Sequence, residues 1–181
     1  MKLYHIDRSC IIQEGQILNL KNNFSSTSSA KQMCIELTQS FIGEGLSQHG
    51  ITYFLNGQTD DNVMSLSNVM EIVFEYERLL YYKEKLSRYK SFYAFDKDGV
   101  IQFINQNNLN NTFYKIYEVE SDYYEPHNMT LISGNSHYNM SAMAKCYWEE
   151  LEDPFNRKPL TEYLLKYPIK IIKEVKFEDL K

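Results

Sequence analysis

The chain has 181 residues, 43% hydrophobic and 14% aromatic, with 15 Tyr and 10 Phe; this suits one folded domain over residues 1–181 and excludes a disordered chain. A formal net charge of −5 disfavours broad electrostatic capture of nucleic acid. No run approaches the roughly 18 apolar residues of a membrane span, and Asp7 and Arg8 interrupt the amino terminus before an apolar leader can form, so no membrane partner and a cytoplasmic location are expected.

The first strand is expected over Leu3 to Ile6, within "LYHIDR". Side chains alternate with period two, so His5 and Asp7 share one side of it and Tyr4 and Ile6 the other. "GQILNL" after Gly15 reads as a second extended piece and "NNFSSTSS" as a polar loop. From Ala30, the spacing of Met33, Leu37, Phe41 and Ile42 predicts a helix that "IGEG" ends. "ITYFL", residues 51–55, is open between a strand and an apolar turn.

The longest periodic segment is "SLSNVMEIVFEYERLLYYKEKLSRYK", with Ser65 as its cap and Leu66, Val69, Met70, Val73, Phe74, Leu79 and Leu80 as the apolar stripe. "SFYAF", residues 91–95, reads as a strand with Ser91 and Tyr93 on one face and Phe92 and Ala94 on the other. "DKDG" turns the chain, Val100, Phe103 and Ile104 mark a short helix, and "TFYKIYEVE" from Thr112 alternates as a strand. "NMSAMAKCYWEELED" from Asn139 is a helix stopped before Pro154, with Tyr147 and Trp148 expected in the core. "PLTEYLLKYPIKIIKEV" closes the chain as a strand-like run with Glu162 at its head. Helices and strands do not alternate regularly, which argues for α+β.

A Gly-rich phosphate loop, GxGxxG, GxSxG and HExxH are all missing, which disfavours Walker-type ATPases and dinucleotide-binding Rossmann domains. Cys10, Cys34 and Cys146 are odd in number and form no CxxC, and His5, His49, His127 and His137 share no ligand spacing; neither a disulfide framework nor a metal site is expected.

The order of these pieces, an opening strand with His and Arg, "FEYERL" leading to "SRYKSFYAF", then "AKCYWEE" before a late strand headed by Glu, resembles the bacterial families of unknown function that carry an ADP-ribosyltransferase-like fold. The resemblance covers most of the chain. It implies a mixed split β-sheet with flanking helices that grips NAD as co-substrate. The matching positions are His5 or Arg8 on the first strand, Ser91 or Tyr93 on the middle one, and Glu162. It implies catalytic roles for Glu162 and His5, with Arg8, Arg88, Ser91 and Tyr93 as cofactor contacts. The implied enzyme is an ADP-ribosyltransferase or NAD glycohydrolase with an unidentified acceptor; the alternative is a non-catalytic binding or interaction protein that keeps the fold. Position 160 is Leu rather than the paired acid of arginine-modifying members, so arginine modification is disfavoured.

The chemistry explains the residue types. Cleaving a nicotinamide glycosidic bond passes through an oxocarbenium-like state that a carboxylate stabilises while accepting a ribose hydroxyl. Arginine pairs with pyrophosphate, and a tyrosine ring stacks on nicotinamide.

Overall fold

The computed structural model describes residues 1–56, 59–60, 63–109 and 113–180. The elements run β1 (Leu3–Asp7), β2 (Ile17–Leu18), α1 (Ser29–Leu37), α2 (Gln39–Ile42), α3 (Gln48–Gly50), a π-helical turn (Ile51–Asn56), β3 (Thr59–Asp60), β4 (Val63–Met64) and α4 (Leu66–Tyr81). A 3-10 turn (Arg88–Lys90) leads into β5 (Ser91–Ala94), α5 (Lys97–Gln106), β6 (Lys115–Glu120) and β7 (Tyr124–Asn128). A second 3-10 turn (Met129–Leu131), α6 (His137–Trp148), β8 (Thr161–Lys166), β9 (Ile169–Val175) and a last 3-10 turn (Phe177–Leu180) complete the described chain.

The strands form one sheet in the order β1-β6-β9-β2, a second in the order β5-β8-β7, and a small β3-β4 hairpin. The α+β class stands. The sheets are not mixed, however: every strand pairing among the described residues is antiparallel. The closing run is two strands, β8 and β9, on either side of Tyr167 and Pro168, and they belong to different sheets.

The two larger sheets meet at one point. Tyr4 and Phe95 exchange backbone hydrogen bonds of 2.7 and 2.8 Å. In an antiparallel ladder the next such pair would be Ile6 with Tyr93. Instead the Tyr93 carbonyl accepts a hydrogen bond from the His5 ring at 2.7 Å. A side chain thus replaces a rung, the β5 carbonyl stays satisfied, and the strands are free to diverge.

Packing follows the expected alternation on both strands. Tyr4 and Ile6 join Val100, Phe103 and Ile104 of α5 in one core cluster, while Phe92 and Ala94 sit with Leu3, Tyr117 and Leu165 in another. Over the far face of the second sheet, Phe74 of α4 and Met143, Tyr147 and Trp148 of α6 cover Leu164. Trp148 donates its ring N–H to the Phe74 carbonyl at 2.9 Å, so its one polar atom is satisfied in the core.

Helix α4 departs from its apolar stripe. Ser65 caps it as expected, accepting from Asn68 N–H at 3.3 Å. Yet the buried residues are Asn68, Glu71, Phe74, Glu75 and Arg78, while Leu66 and Leu80 are exposed. The buried stripe carries charge because its members are paired: Glu75 Oε1 accepts from Arg78 Nε and Nη2 at 3.0 and 2.8 Å and from the Ser87 hydroxyl at 2.9 Å, and Glu71 is engaged by Arg88. The helix expected from Ala30 divides at Thr38 into α1 and α2. The "ITYFL" segment is helical, in the π form.

Candidate functional site

A cavity of about 690 Å³ opens where the sheets diverge, a size suited to small-molecule binding. His5, Arg8, Arg88, Ser91, Tyr93 and Glu162 all line it, although they span positions 5 to 162. Their environments differ, and so do the roles each can fill.

Glu162 is 2% exposed, on the side of β8 that faces α6. Its Oε1 accepts from Arg88 Nη1 and from the Tyr147 hydroxyl, the latter at 2.7 Å. Its Oε2 accepts nothing among the described residues and is not sealed off, which leaves one carboxylate oxygen facing the cavity. This is no solvated strand end. Tyr147, expected as a core ring, is fully buried but carries a hydroxyl that joins the site.

Arg88 is placed by the 3-10 turn that precedes β5. Its Nε and Nη2 donate to the two oxygens of Glu71, both at 2.9 Å, and Nη1 donates to Tyr147 at 2.8 Å and to Glu162. The bidentate fork expected to hold a pyrophosphate is therefore engaged by Glu71. As arranged, Arg88 orients carboxylates; it does not present a phosphate cradle. Burial opposes its charge, but Glu162 and Glu71 outweigh that and hold the guanidinium strongly protonated. Burial likewise pushes the Glu71 carboxyl up, while Arg88 and His49 together hold it well below the usual carboxylate range.

Arg8 is the opposite case. It is exposed on the cavity rim and has no ion-pair partner among the described residues. The turn beneath it is tied by hydrogen bonds: Asp7 is buried and accepts from the N–H groups of Ser9, Cys10 and Ile12 at 3.0, 2.9 and 2.9 Å. Of the two arginines, Arg8 is thus the one whose guanidinium is not engaged by a carboxylate among the described residues.

His5 donates Nδ1–H to the Tyr93 carbonyl, which fixes the tautomer and leaves Nε2 as an acceptor. Burial lowers its pKa despite that bond, so the ring is held neutral. It lies 4.2 Å from Phe92 between ring centroids. Ser91 is buried and spends its hydroxyl proton on the Ser87 carbonyl at 2.8 Å, retaining only acceptor capacity toward the cavity. Tyr93 donates to the Arg88 carbonyl at 2.8 Å. Its ring has the Arg88 guanidinium at 5.1 Å and the His49 ring at 4.7 Å, so stacking on nicotinamide would require displacing His49.

The sequence reading missed Glu71, His49 and Tyr53, all of which line the cavity. His49 Nε2 lies 3.2 Å from Glu71 Oε1, and its ring is 4.5 Å from Tyr53. Gly50 makes this possible, since a Cβ there would stand 2.1 Å from the Tyr89 carbonyl oxygen. Ser47 secures the same contact, donating both its N–H and its hydroxyl to that carbonyl at 3.0 and 2.9 Å. The one available signal was the spacing of Glu71, Glu75 and Arg78 at i, i+4 and i+7, a charged stripe as regular as the apolar one.

No group of three or more His, Cys, Asp or Glu side chains that could hold a metal ion occurs among the described residues, and no helix of the structure is long and apolar enough to cross a membrane. A search of curated proteins finds no match. A family described as Protein of unknown function (DUF2441) matches residues 3–177, nearly the whole chain that builds both sheets and the cavity between them, and the protein belongs to that family.

Proposed function

We propose that the cavity binds NAD and that the protein is an ADP-ribosyltransferase-like enzyme cleaving the nicotinamide glycosidic bond, with ADP-ribose passing to an acceptor not yet identified. The observation that carries this reading is Glu162: a buried carboxylate, oriented through Oε1 by two donors, that turns Oε2 toward a cavity large enough for much of a dinucleotide. That oxygen is free to accept a ribose hydroxyl and to stabilise the developing oxocarbenium charge. Arg8 supplies the phosphate contact at the rim, and His5 Nε2 offers a fixed acceptor beside it.

A second reading has its own support. With Arg88 and Tyr147 on Glu162, the carboxylate is partly neutralised, as in a structural ion pair, and the protein would then bind its ligand without turnover. Glu162→Gln separates the two. The substitution leaves one guanidinium opposite one carboxylate, Glu71, so the protein should fold and retain an NAD-dependent rise in melting temperature. NAD cleavage, followed by mass spectrometry, should fall by about 10²–10³ if Oε2 stabilises the transition state. A thermal shift with no cleavage by either protein establishes the binding reading, and no thermal shift at millimolar NAD overturns both.

A further inference from the structure

His49 belongs to none of the roles assigned above, yet it has the surroundings of a proton acceptor. It stands on α3, pinned by Ser47 and Gly50 against the Tyr89 carbonyl. Its Nε2 is sealed from solvent, 3.2 Å from Glu71 Oε1 but without hydrogen-bond alignment to it. Its Nδ1 bonds to nothing among the described residues and is not sealed, and the residue lines the cavity. A ring with one nitrogen against a buried carboxylate and the other open to a ligand space is a general base with its orienting partner. Bonds of this kind are commonly loose before substrate arrives and tighten in the complex.

The same carboxylate connects the ring to the rest of the site. Glu71 Oε1 faces His49 Nε2 on one side and accepts from Arg88 Nη2 on the other, and Arg88 Nη1 reaches Glu162. One continuous line of charged groups thus has an open imidazole nitrogen at one end and an open carboxylate oxygen at the other. The groups facing the ring are Glu71 of α4, Tyr53 of the π-helical turn, Tyr93 of β5 and, across Glu71, Arg88 of the 3-10 turn. Lys90 of that turn pairs with Glu44 instead.

We infer that His49, held by Glu71, is the catalytic base that activates an oxygen nucleophile, a hydroxyl group or water, as the acceptor of ADP-ribose. This rests on the proposed NAD reading and names the acceptor class. In the step, the acceptor O–H gives its proton to His49 Nδ1 while its oxygen forms a bond to the ribosyl anomeric carbon. The bond from that carbon to the nicotinamide nitrogen breaks, and its electron pair neutralises the pyridinium. With water the products are ADP-ribose, nicotinamide and one proton. A neutral hydroxyl needs such a base, and Leu160, buried in the core cluster under α5, offers no second carboxylate of the kind that arginine modification uses.

The test compares wild type with His49→Gln and His49→Ala, measuring NAD-induced thermal shift, kcat and KM for NAD hydrolysis across pH, and recovery with added imidazole. The expected result is an unchanged thermal shift and KM, a fall in kcat of about 10²–10⁴, loss of the acid limb of the kcat profile, and partial recovery of His49→Ala by imidazole. Equal kcat in wild type and variants overturns the role of His49 and leaves the NAD reading intact. A fall in kcat with an unchanged pH profile and no imidazole recovery overturns it too, as a packing effect. A wild type that neither binds nor cleaves NAD overturns both.

Discussion

Arg88 is the residue through which the site coheres, since one buried guanidinium meets two carboxylates and a tyrosine hydroxyl. A buried ion pair gains little over a well-packed apolar substitute, but removing one partner strands the other charge. Arg88→Met should therefore cost about 3–5 kcal/mol of unfolding free energy, measured by denaturant titration. Replacing all three charges, with Glu71→Leu and Glu162→Leu added, should recover most of that loss while abolishing function. A triple variant as unstable as the single one would show that packing at Arg88, not charge, sets the cost. Arg8 predicts the reverse behaviour. Arg8→Ala, on an exposed side chain without an ion-pair partner, should alter stability by under about 0.5 kcal/mol yet reduce the NAD-induced thermal shift by removing a charge-assisted phosphate contact. An undiminished shift would remove Arg8 from the site.

At the level of elements, the short α3 decides the cavity wall. Gly50→Ala would press a methyl group into the Tyr89 carbonyl at 2.1 Å, and the backbone must move to relieve it. Overpacking of this kind costs about 1–3 kcal/mol, and the displacement falls on His49, one residue away, so turnover should drop by more than the stability loss accounts for. Denaturation curves and NAD hydrolysis measured side by side would reveal it; a loss confined to stability would mean that α3 merely packs. Local pattern made much of the fold legible. The Ser65 cap, the Val100, Phe103 and Ile104 face of α5, and the alternation of Tyr4 with His5 and of Phe92 with Tyr93 are all set by neighbours a few residues away. Helix α4 shows the limit of that reasoning. Its apolar stripe satisfied the period, but burial went to Glu71, Glu75 and Arg78: Arg88 and Ser87, the partners of Glu71 and Glu75, lie on another segment that no local pattern places beside them, and Arg78 pairs with Glu75 within the helix. Glu162 was legible as a residue at a strand head, whereas His49 lies in a three-residue helix with no periodic signal.

Across the whole molecule, two antiparallel sheets share one backbone contact at Tyr4 and Phe95, and His5 closes the seam where pairing stops. Which strands would meet there depends on pairing between Tyr4 and Phe95, far apart in sequence, so the composition of β1 and β5 alone does not reveal it. The arrangement does fix how the molecule responds to acid. Burial lowers the pKa of His5, so an unfolded chain takes up a proton at that ring before the folded one does. The stability this represents is complete above the ordinary histidine value of about 6.5 and is lost as pH falls through the lower folded value. Glu71 has the same sign at a lower pH: held below the usual carboxylate range by Arg88 and His49 against burial, it contributes fully above about pH 4.3 and progressively less beneath it. On the alkaline side, burial raises Tyr93 and Tyr147 well above their ordinary value of about 10, so their stability contribution persists below that value and is lost only as pH climbs through the folded values. Melting temperature should thus be flat from about pH 7 to 10 and decline in two stages on acidification, the first beginning near 6.5 and the second near 4.3. His5→Asn keeps a donor for the Tyr93 carbonyl and lacks the titrating ring, so it should abolish the first stage and keep the second. Glu71→Gln should keep the first stage and weaken the second, to which Glu125 and Asp153 also contribute, burial pushing both up but hydrogen bonds holding them below their ordinary values; if both variants retained the wild-type profile, the seam and the buried charges behind it would not be what acid breaks.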